Sequence, residues 1–317
     1  MIKLGLIGYP LGHSLSPKIH AAALRSCALE GSYSLFPIHP DDQPGLKDLL
    51  ARVRKREISG LNVTIPHKQN VIDFLDELTT TAKGIGAVNT IYLRDNKLIG
   101  ENTDASGFLV DLKKFLTTKT QRHGKLQALV LGAGGAARAV VYALLEDGWD
   151  VIIAARRLEQ AQQLADVFAN HQFSRSIPVG SMTAISLSNM ETTFPSLQSP
   201  SSNFSLIVNT TPLGMSPNID GSPWPEHLPF PARAAIYDLV YNPCHTRLVR
   251  QACSEGLHAT TGLGMLIEQA ALAFEIWTGH PPSREVMLTS ATQSLTLAPD
   301  AHLPWRAVPG SAGDSSL

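Results

Sequence analysis

Read as a pattern of apolar and polar positions, the chain alternates short apolar runs with longer stretches in which apolar residues recur every three or four places. Lys3 to Ile7 reads as a strand. The loop from Gly8 to Pro17 then leads into a helix, with Pro17 suited to its first turn and Ser16 to its N-cap. Tyr33 to Ile38 alternates like a strand, and Leu46 to Arg54 has helical spacing. Gly60 to Lys68 starts as a strand that Pro66 must end, leaving Asn62, Thr64 and Lys68 near its carboxyl end. Ile85 to Leu93 and Lys97 to Gly100 read as two strands joined by a turn at Asp95 and Asn96. Phe108 to Leu116 is a helix for which Thr103 or Asp104 would serve as N-cap.

The second half repeats the alternation. Leu126 to Leu131 is an apolar run that ends in Gly-Ala-Gly-Gly-Ala-Ala and an alanine-rich helical segment stopped by Gly148, and Asp150 to Ala155 is a second apolar run. Ser174 to Asn203, rich in Ser, Thr and Pro with hardly any charge, reads as loop. Phe204 to Met215 and Ala235 to Pro243 each give a strand and then a turn. Thr246 caps a helix that runs to about Glu255 and stops at Gly256. Gly262 to Gly264 open a last helix, Met265 to Thr278, whose apolar face can return to the first domain; after Ala291 the periodicity fades, and Pro299 to Leu317 reads as a disordered tail. The expected class is α/β in two domains: residues 1–116 with 265–290, and 117–264, the tail being 291–317.

Composition narrows the partners. With 317 residues, 44% hydrophobic and 17% charged, there is ample chain for a core, and a net charge of −1 gives no reason to propose nucleic acid or an anionic membrane. No run approaches the ~20 apolar residues of a membrane span, and the N-terminus is broken by Gly8 and Pro10. Cys27, Cys244 and Cys253 form no CxxC pair and are odd in number, which fits a reducing cytoplasm. The eleven histidines show no metal-ligand spacing, so no metal site is expected.

Chemistry enters at the glycine turn. Gly132, Gly134 and Ala137 fit G-x-G-x-x-A: one glycine for the tight turn, one for close backbone approach to a pyrophosphate, and a small residue for helix packing. The segment Gly132, Ala133, Gly134, Gly135 and Ala136 would cradle the phosphates on a helix N-terminus, as in a Rossmann-like dinucleotide-binding domain. The second strand ends in Arg156 and Arg157 where an NAD-binding unit would place an acid, and two guanidinium groups suit the 2′-phosphate of NADP. A solvated basic turn is the alternative. At Ser14 and Ser16, hydroxyls beside a helix N-terminus can hold a carboxylate, and capping explains Ser16 equally well.

Taken together, His13-Ser-Leu-Ser-Pro17, Asn62-Val-Thr-Ile-Pro66 with Lys68, Gly86-Ala-Val-Asn-Thr90, Asn102-Thr-Asp104, the glycine turn, Asn209-Thr-Thr-Pro-Leu-Gly-Met215 and Gly262-Leu-Gly-Met-Leu-Ile-Glu-Gln269 resemble the shikimate dehydrogenase family over most of the chain to about Thr278. The resemblance implies NADPH-dependent reduction of 3-dehydroshikimate to shikimate, with the first domain binding substrate and the last helix returning to it. Ser14 and Ser16 would hold the substrate carboxylate. Asn62, Thr64, Asn89, Asp104, Tyr241 and Gln269 would bind its hydroxyls, and Lys68 with Asp104 would form the catalytic pair. The cofactor would lie on residues 132–136, Arg156, Arg157, Thr210, Met215, Val240 and Gly262. The chemistry supports Lys68 on its own terms, because a carbonyl reduced by hydride must gain a proton and a lysine ammonium carries one at neutral pH. A homodimer is compatible with the resemblance.

The chain also departs from the family. Ala155-Arg156-Arg157 replaces the usual Asn-Arg-Thr, Ala21 follows His20 where the family has Asn, and Ser174 to Asn203 is long. Two other readings stay open: an NAD-using quinate/shikimate dehydrogenase, and a non-catalytic NADP-sensing regulator on the same fold.

Overall fold

The computed structural model describes residues 1–117, 126–169, 180–190 and 204–296. In chain order the first half contains β1 (Ile2–Gly8), α1 (Ser16–Ser26), β2 (Gly31–Pro37), α2 (Gln43–Arg54), β3 (Gly60–Val63), α3 (His67–Asn70), β4 (Glu77–Leu78), α4 (Thr80–Ile85), β5 (Thr90–Arg94) and β6 (Lys97–Glu101). Its sheet has the order β2-β1-β3-β5-β6-β4. β1 lies parallel to β2 and β3, whereas β5 runs antiparallel to β3 and β6. The inner strands are buried through Leu4, Ile7, Leu61, Val63 and Ile91, as two-sided coverage requires.

β3 stops at Val63, before Pro66, and Lys68 stands on the α3 turn just beyond its carboxyl end, as the proline requires. Two local expectations change. α1 begins at Ser16 with Leu15 at the N-cap position, so Ser16 is not the cap. Ile85 closes α4, Gly86 takes a left-handed conformation (φ 67°), and the hairpin strand starts only at Thr90. The apolar run there is a buried helix end joined to a strand, which periodicity cannot separate. The turn itself falls where expected: Asp95 (φ 51°) and Asn96 (φ 60°) both have the positive φ of a type I′ hairpin.

The second half contains α5 (Asp104–Thr117), β7 (Gln127–Leu131), α6 (Gly135–Glu146), β8 (Asp150–Ala155), α7 (Leu158–Ala169), β9 (Met182–Ser186), β10 (Phe204–Asn209), β11 (Ala235–Asp238), α8 (Arg247–Ser254), β12 (Ala259–Thr261), α9 (Leu263–Thr278) and α10 (Arg284–Thr296). Its strands are all parallel in the order β12-β11-β10-β7-β8-β9. The order reverses between β7 and β10, the switch point where doubly wound sheets bind ligands beyond their carboxyl ends.

β9 overturns the loop expected there, because pairing with β8 in the register Val151↔Met182 supplies what a run of small polar residues does not announce. The remainder of that stretch, 174–179 and 191–203, lies outside the described residues, as do the join at 118–125 and the tail at 299–317. α9 is not the last helix. α10 continues to Thr296, burying Met287, Ala291 and Leu295 in a cluster with Ile19 and Ala23 of α1 and Phe274 of α9. Three buried apolar residues four apart, with Val286 and Leu288 exposed beside the first of them, make a weak sequence signal.

α5 and α9 link the two sheets. They cross at Gly107, where a Cβ would stand 2.7 Å from the backbone nitrogen of Gln269. That approach sets Asp104 and Gln269 close together at the front of the crossing. No helix among the described residues is long and apolar enough to cross a membrane.

Candidate active site

The site grows from three loops. The first is α3, where the Lys68 carbonyl accepts from Val88 N–H at 2.7 Å and so ties the lysine's backbone to the second loop, Ala87 to Asn89. The third is the start of α5. There Thr103 holds the N-cap position, its carbonyl accepting from Gly107 N–H at 2.9 Å, while Asn102 Oδ1 supplies the side-chain cap by accepting from the N–H groups of Asp104 (3.0 Å) and Ala105 (3.4 Å). Asp104 is the first residue of α5 rather than its cap, so its carboxylate, at the positive end of the helix, is free to face outward.

It faces Lys68, whose Nζ stands 2.6 Å from Asp104 Oδ2 with the two side chains only 14% and 7% exposed. Asn89 Nδ2 donates to the other oxygen, Oδ1, at 2.9 Å and lies 3.4 Å from Gln269 Oε1. Asn89 is itself fixed, because its Oδ1 accepts from Thr103 N–H (2.8 Å) and Thr90 Oγ1 (2.9 Å). Asn62 Nδ2 donates to the Asn89 carbonyl at 3.2 Å and to Thr90 Oγ1 at 3.3 Å. Lys68, Asp104, Asn89, Gln269 and Asn62 are thus joined in one network. Thr64 is on its border, donating its N–H to Ile7 and accepting through its carbonyl from His67 N–H.

Ser14 Oγ accepts from Ser16 N–H at 3.2 Å, a local role that the sequence reading did not supply for Ser14. Tyr33, which the reading assigned to no site, donates from its hydroxyl to Asn62 Oδ1 at 2.8 Å and also meets the Ser16 side chain. Burial holds its phenol well above the usual tyrosine range. Tyr241 follows β11, yet packs in the apolar cluster of Leu15 and Ile267, beside α1 and α9. Burial likewise raises its phenol.

The glycine turn stands at the switch point. Gly132 has φ 111°, and a Cβ there would meet Thr210 Oγ1 at 2.6 Å, so only glycine fits between the ends of β7 and β10. Around a Cβ on Gly134 the space is open, and α6 starts without a side-chain cap, leaving its first N–H groups available. A phosphate cradle needs that combination, so the residues fit a dinucleotide. A Cβ on Gly135 would stand 3.6 Å from Lys68 Cδ, which places the lysine stem directly against the turn. One turn on, the half-buried Arg138 donates to the Ile85 carbonyl at 3.2 Å and bridges α6 to α4.

The other expected cofactor residues lie around the same edge. Thr210 Oγ1 donates to Leu131 O at 2.7 Å. Val240 N–H donates to Asp238 Oδ1 at 3.0 Å, Gly262 N–H reaches Val240 O at 3.4 Å, and Met215 is exposed at the loop beyond β10. Asp238, buried and missed by the sequence reading, ties this edge together by accepting from Asn209 Nδ2 (2.8 Å), Val240 N–H and Thr246 Oγ1 (2.6 Å). Burial pushes its carboxyl up to about 6 despite those donors. An acid as the last residue of the otherwise apolar β11 was the available signal. Arg156 and Arg157 are exposed just past β8, at the same end of the sheet but apart from the Lys68 network.

Comparison with known proteins agrees with this arrangement. Residues 6–91 match the shikimate dehydrogenase substrate binding domain, 114–204 the shikimate / quinate 5-dehydrogenase family and 262–291 the shikimate 5'-dehydrogenase C-terminal domain. The shikimate dehydrogenase (NADP(+)) of Salinibacter ruber is 42% identical over 280 residues, covering 86% of this chain and 90% of that one. The shikimate 5-dehydrogenase of Thermus thermophilus, solved in complex with NADP(H) and shikimate, aligns with a TM-score of 0.77 at 38% identity, covering 93% of this chain and 100% of the other. A quinate dehydrogenase from Corynebacterium glutamicum, solved with NAD, also aligns at 0.77, with 30% identity over 92% of this chain and 99% of its own. With these motifs in this order on this fold, the chain belongs to the shikimate dehydrogenase family.

Proposed function

We propose that this chain is an NADP-dependent shikimate dehydrogenase that reversibly reduces 3-dehydroshikimate to shikimate, a step toward chorismate and the aromatic amino acids, with Lys68 and Asp104 as its catalytic pair. The observation that carries the assignment of roles is the largely buried Lys68–Asp104 contact at 2.6 Å, placed against the glycine turn at Gly135. An acid–base group there meets both the substrate loops and the phosphate cradle.

NADPH, when bound, supplies the hydride. Lys68 holds the proton that the carbonyl oxygen gains as that hydride arrives at carbon, and in the oxidative direction Lys68 takes it back from the hydroxyl. Asp104 aims the ammonium, and Asn89 keeps Asp104 from turning away. Ser14 and Ser16 bind the substrate carboxylate, while Asn62, Thr64, Asn89, Tyr241 and Gln269 fix its hydroxyls. Residues 132–136, Thr210, Met215, Val240 and Gly262 hold the cofactor, and Arg156 and Arg157 select its 2′-phosphate. In this reading residues 1–116 and 265–290 form the substrate domain and 117–264 the cofactor domain. The unpaired Cys27, Cys244 and Cys253 fit a reducing cytoplasm.

The test is an initial-rate assay of the purified protein with shikimate or quinate, each with NADP or NAD. Shikimate with NADP should give by far the highest kcat/KM. A preference for quinate with NAD would move the protein to the alternative dehydrogenase, and no turnover with any pair would make it a binding protein. Sedimentation of the same sample tests for the homodimer.

A further inference from the structure

An asparagine amide is nearly symmetric in shape, so its neighbours decide which end is oxygen. At Asn62 both Nδ2 hydrogens have acceptors, the Asn89 carbonyl and Thr90 Oγ1, and one lone pair of Oδ1 takes the Tyr33 hydroxyl at 2.8 Å. Among the described residues no hydrogen bond of ordinary geometry fills the second acceptor lobe, although the His20 ring also faces Asn62. A substrate hydroxyl can donate to that lobe; a carbonyl or carboxylate oxygen would be repelled by it.

The Tyr33 ring is held from behind. α1 sets His20 four residues after Ser16 on the same helix face, and the His20 ring lies flat on Tyr33, with centroids 4.3 Å apart and planes 2° from parallel. Beyond it stand Trp277 (5.5 Å) and Phe274 (6.3 Å) of α9. Neither ring nitrogen of His20 makes a hydrogen bond of ordinary geometry among the described residues. Burial pushes its imidazole down to about 3, which the nearby Asn62 offsets only in part. His20 is therefore a neutral flat spacer at working pH.

We infer that Tyr33 is a positioning residue for substrate recognition: clamped by the His20 ring, its hydroxyl orients Asn62 so that this side chain offers a single acceptor, selecting a hydroxyl at that corner of the site. The inference rests on the reading of Asn62 as a substrate contact.

Tyr33→Phe removes only the hydroxyl. It should raise KM for shikimate about five- to thirtyfold, with KM for NADP unchanged within about twofold and kcat within about threefold. Asn62→Ala should raise the same KM, and the double variant should be no worse than Asn62→Ala alone. His20→Ala should also raise it, whereas His20→Phe, which keeps a flat ring, should restore it to within about threefold of wild type. A Tyr33→Phe enzyme with wild-type KM for shikimate, beside an impaired Asn62→Ala, would overturn the inference and leave the site reading intact. Multiplying effects in the double variant would do the same. An unaffected Asn62→Ala would overturn both. Should Tyr33→Phe be insoluble, the His20 pair decides, since equal defects in His20→Ala and His20→Phe would refute the clamp.

Discussion

Replacing Lys68 with methionine preserves most of the stem that packs near Gly135 and removes the ammonium. Two consequences follow from the geometry. In catalysis, the enzyme loses a positioned proton donor, worth about 10²–10⁴ in rate, so kcat should fall in that range while KM for shikimate moves much less. In stability, Asp104 is left 7% exposed without its cation. Breaking a buried pair in this way costs roughly 3–5 kcal/mol. Here Asp104 keeps the Asn89 donor at 2.9 Å and its place at the positive end of α5, so the low end, about 3 kcal/mol, is expected. Lys68→Met with Asp104→Asn removes the stranded charge; the double variant should regain stability yet stay slow. The assays are shikimate-dependent NADP reduction, NADP binding by fluorescence, and urea unfolding of all three proteins. If folded Lys68→Met binds NADP and turns over shikimate within about threefold of wild type, it lacks none of the general-acid contribution and the mechanism is wrong.

Other expectations are independent of that one. Arg156→Ala and Arg157→Ala each remove one charge-assisted donor, which is worth about 1.5–3 kcal/mol, so KM for NADP should rise about ten- to a hundredfold with NAD little changed; equal losses for both cofactors would exclude a 2′-phosphate role. His20 has a folded-state pKa of about 3 against 6.5 for the free group, so the stability it contributes is full above pH 6.5 and drains as pH falls toward 3. Between about pH 7.5 and 4.5, wild type should therefore lose about 3 kcal/mol more than His20→Phe in urea unfolding, and a constant gap between the two proteins would contradict this. Gly107→Ala places a methyl 2.7 Å from Gln269 N at the crossing of α5 and α9. It should cost about 1–3 kcal/mol through overpacking and raise KM for shikimate by moving Gln269, and an unchanged melting temperature would show that the crossing can relax.

The sequence by itself determined the parts whose cause is local. Glycine at 132 and 134 followed by small residues forced the strand–turn–helix at the cofactor edge, Asp95-Asn96 specified its turn, and Thr246 capped its helix through its own side chain. The candidates for the site could also be named from the sequence, because the resemblance rests on short motifs that survive without a view of their neighbours. Tertiary structure decided what depends on distant partners. β9 is a strand because β8 offers its free edge, and α10 is held in place by the cluster it shares with α1. Lys68 reaches Asp104 across thirty-six positions because the loop at Val88 and Asn89 ties α3 to the start of α5, where Asn102 rather than Asp104 supplies the capping side chain. Tyr33 and Asp238 carry no motif, and His20 enters the sequence pattern only as the residue before Ala21. They matter through a stacked ring, an oriented amide and a buried carboxylate, and each of those exists only once separate strands and helices have been packed together.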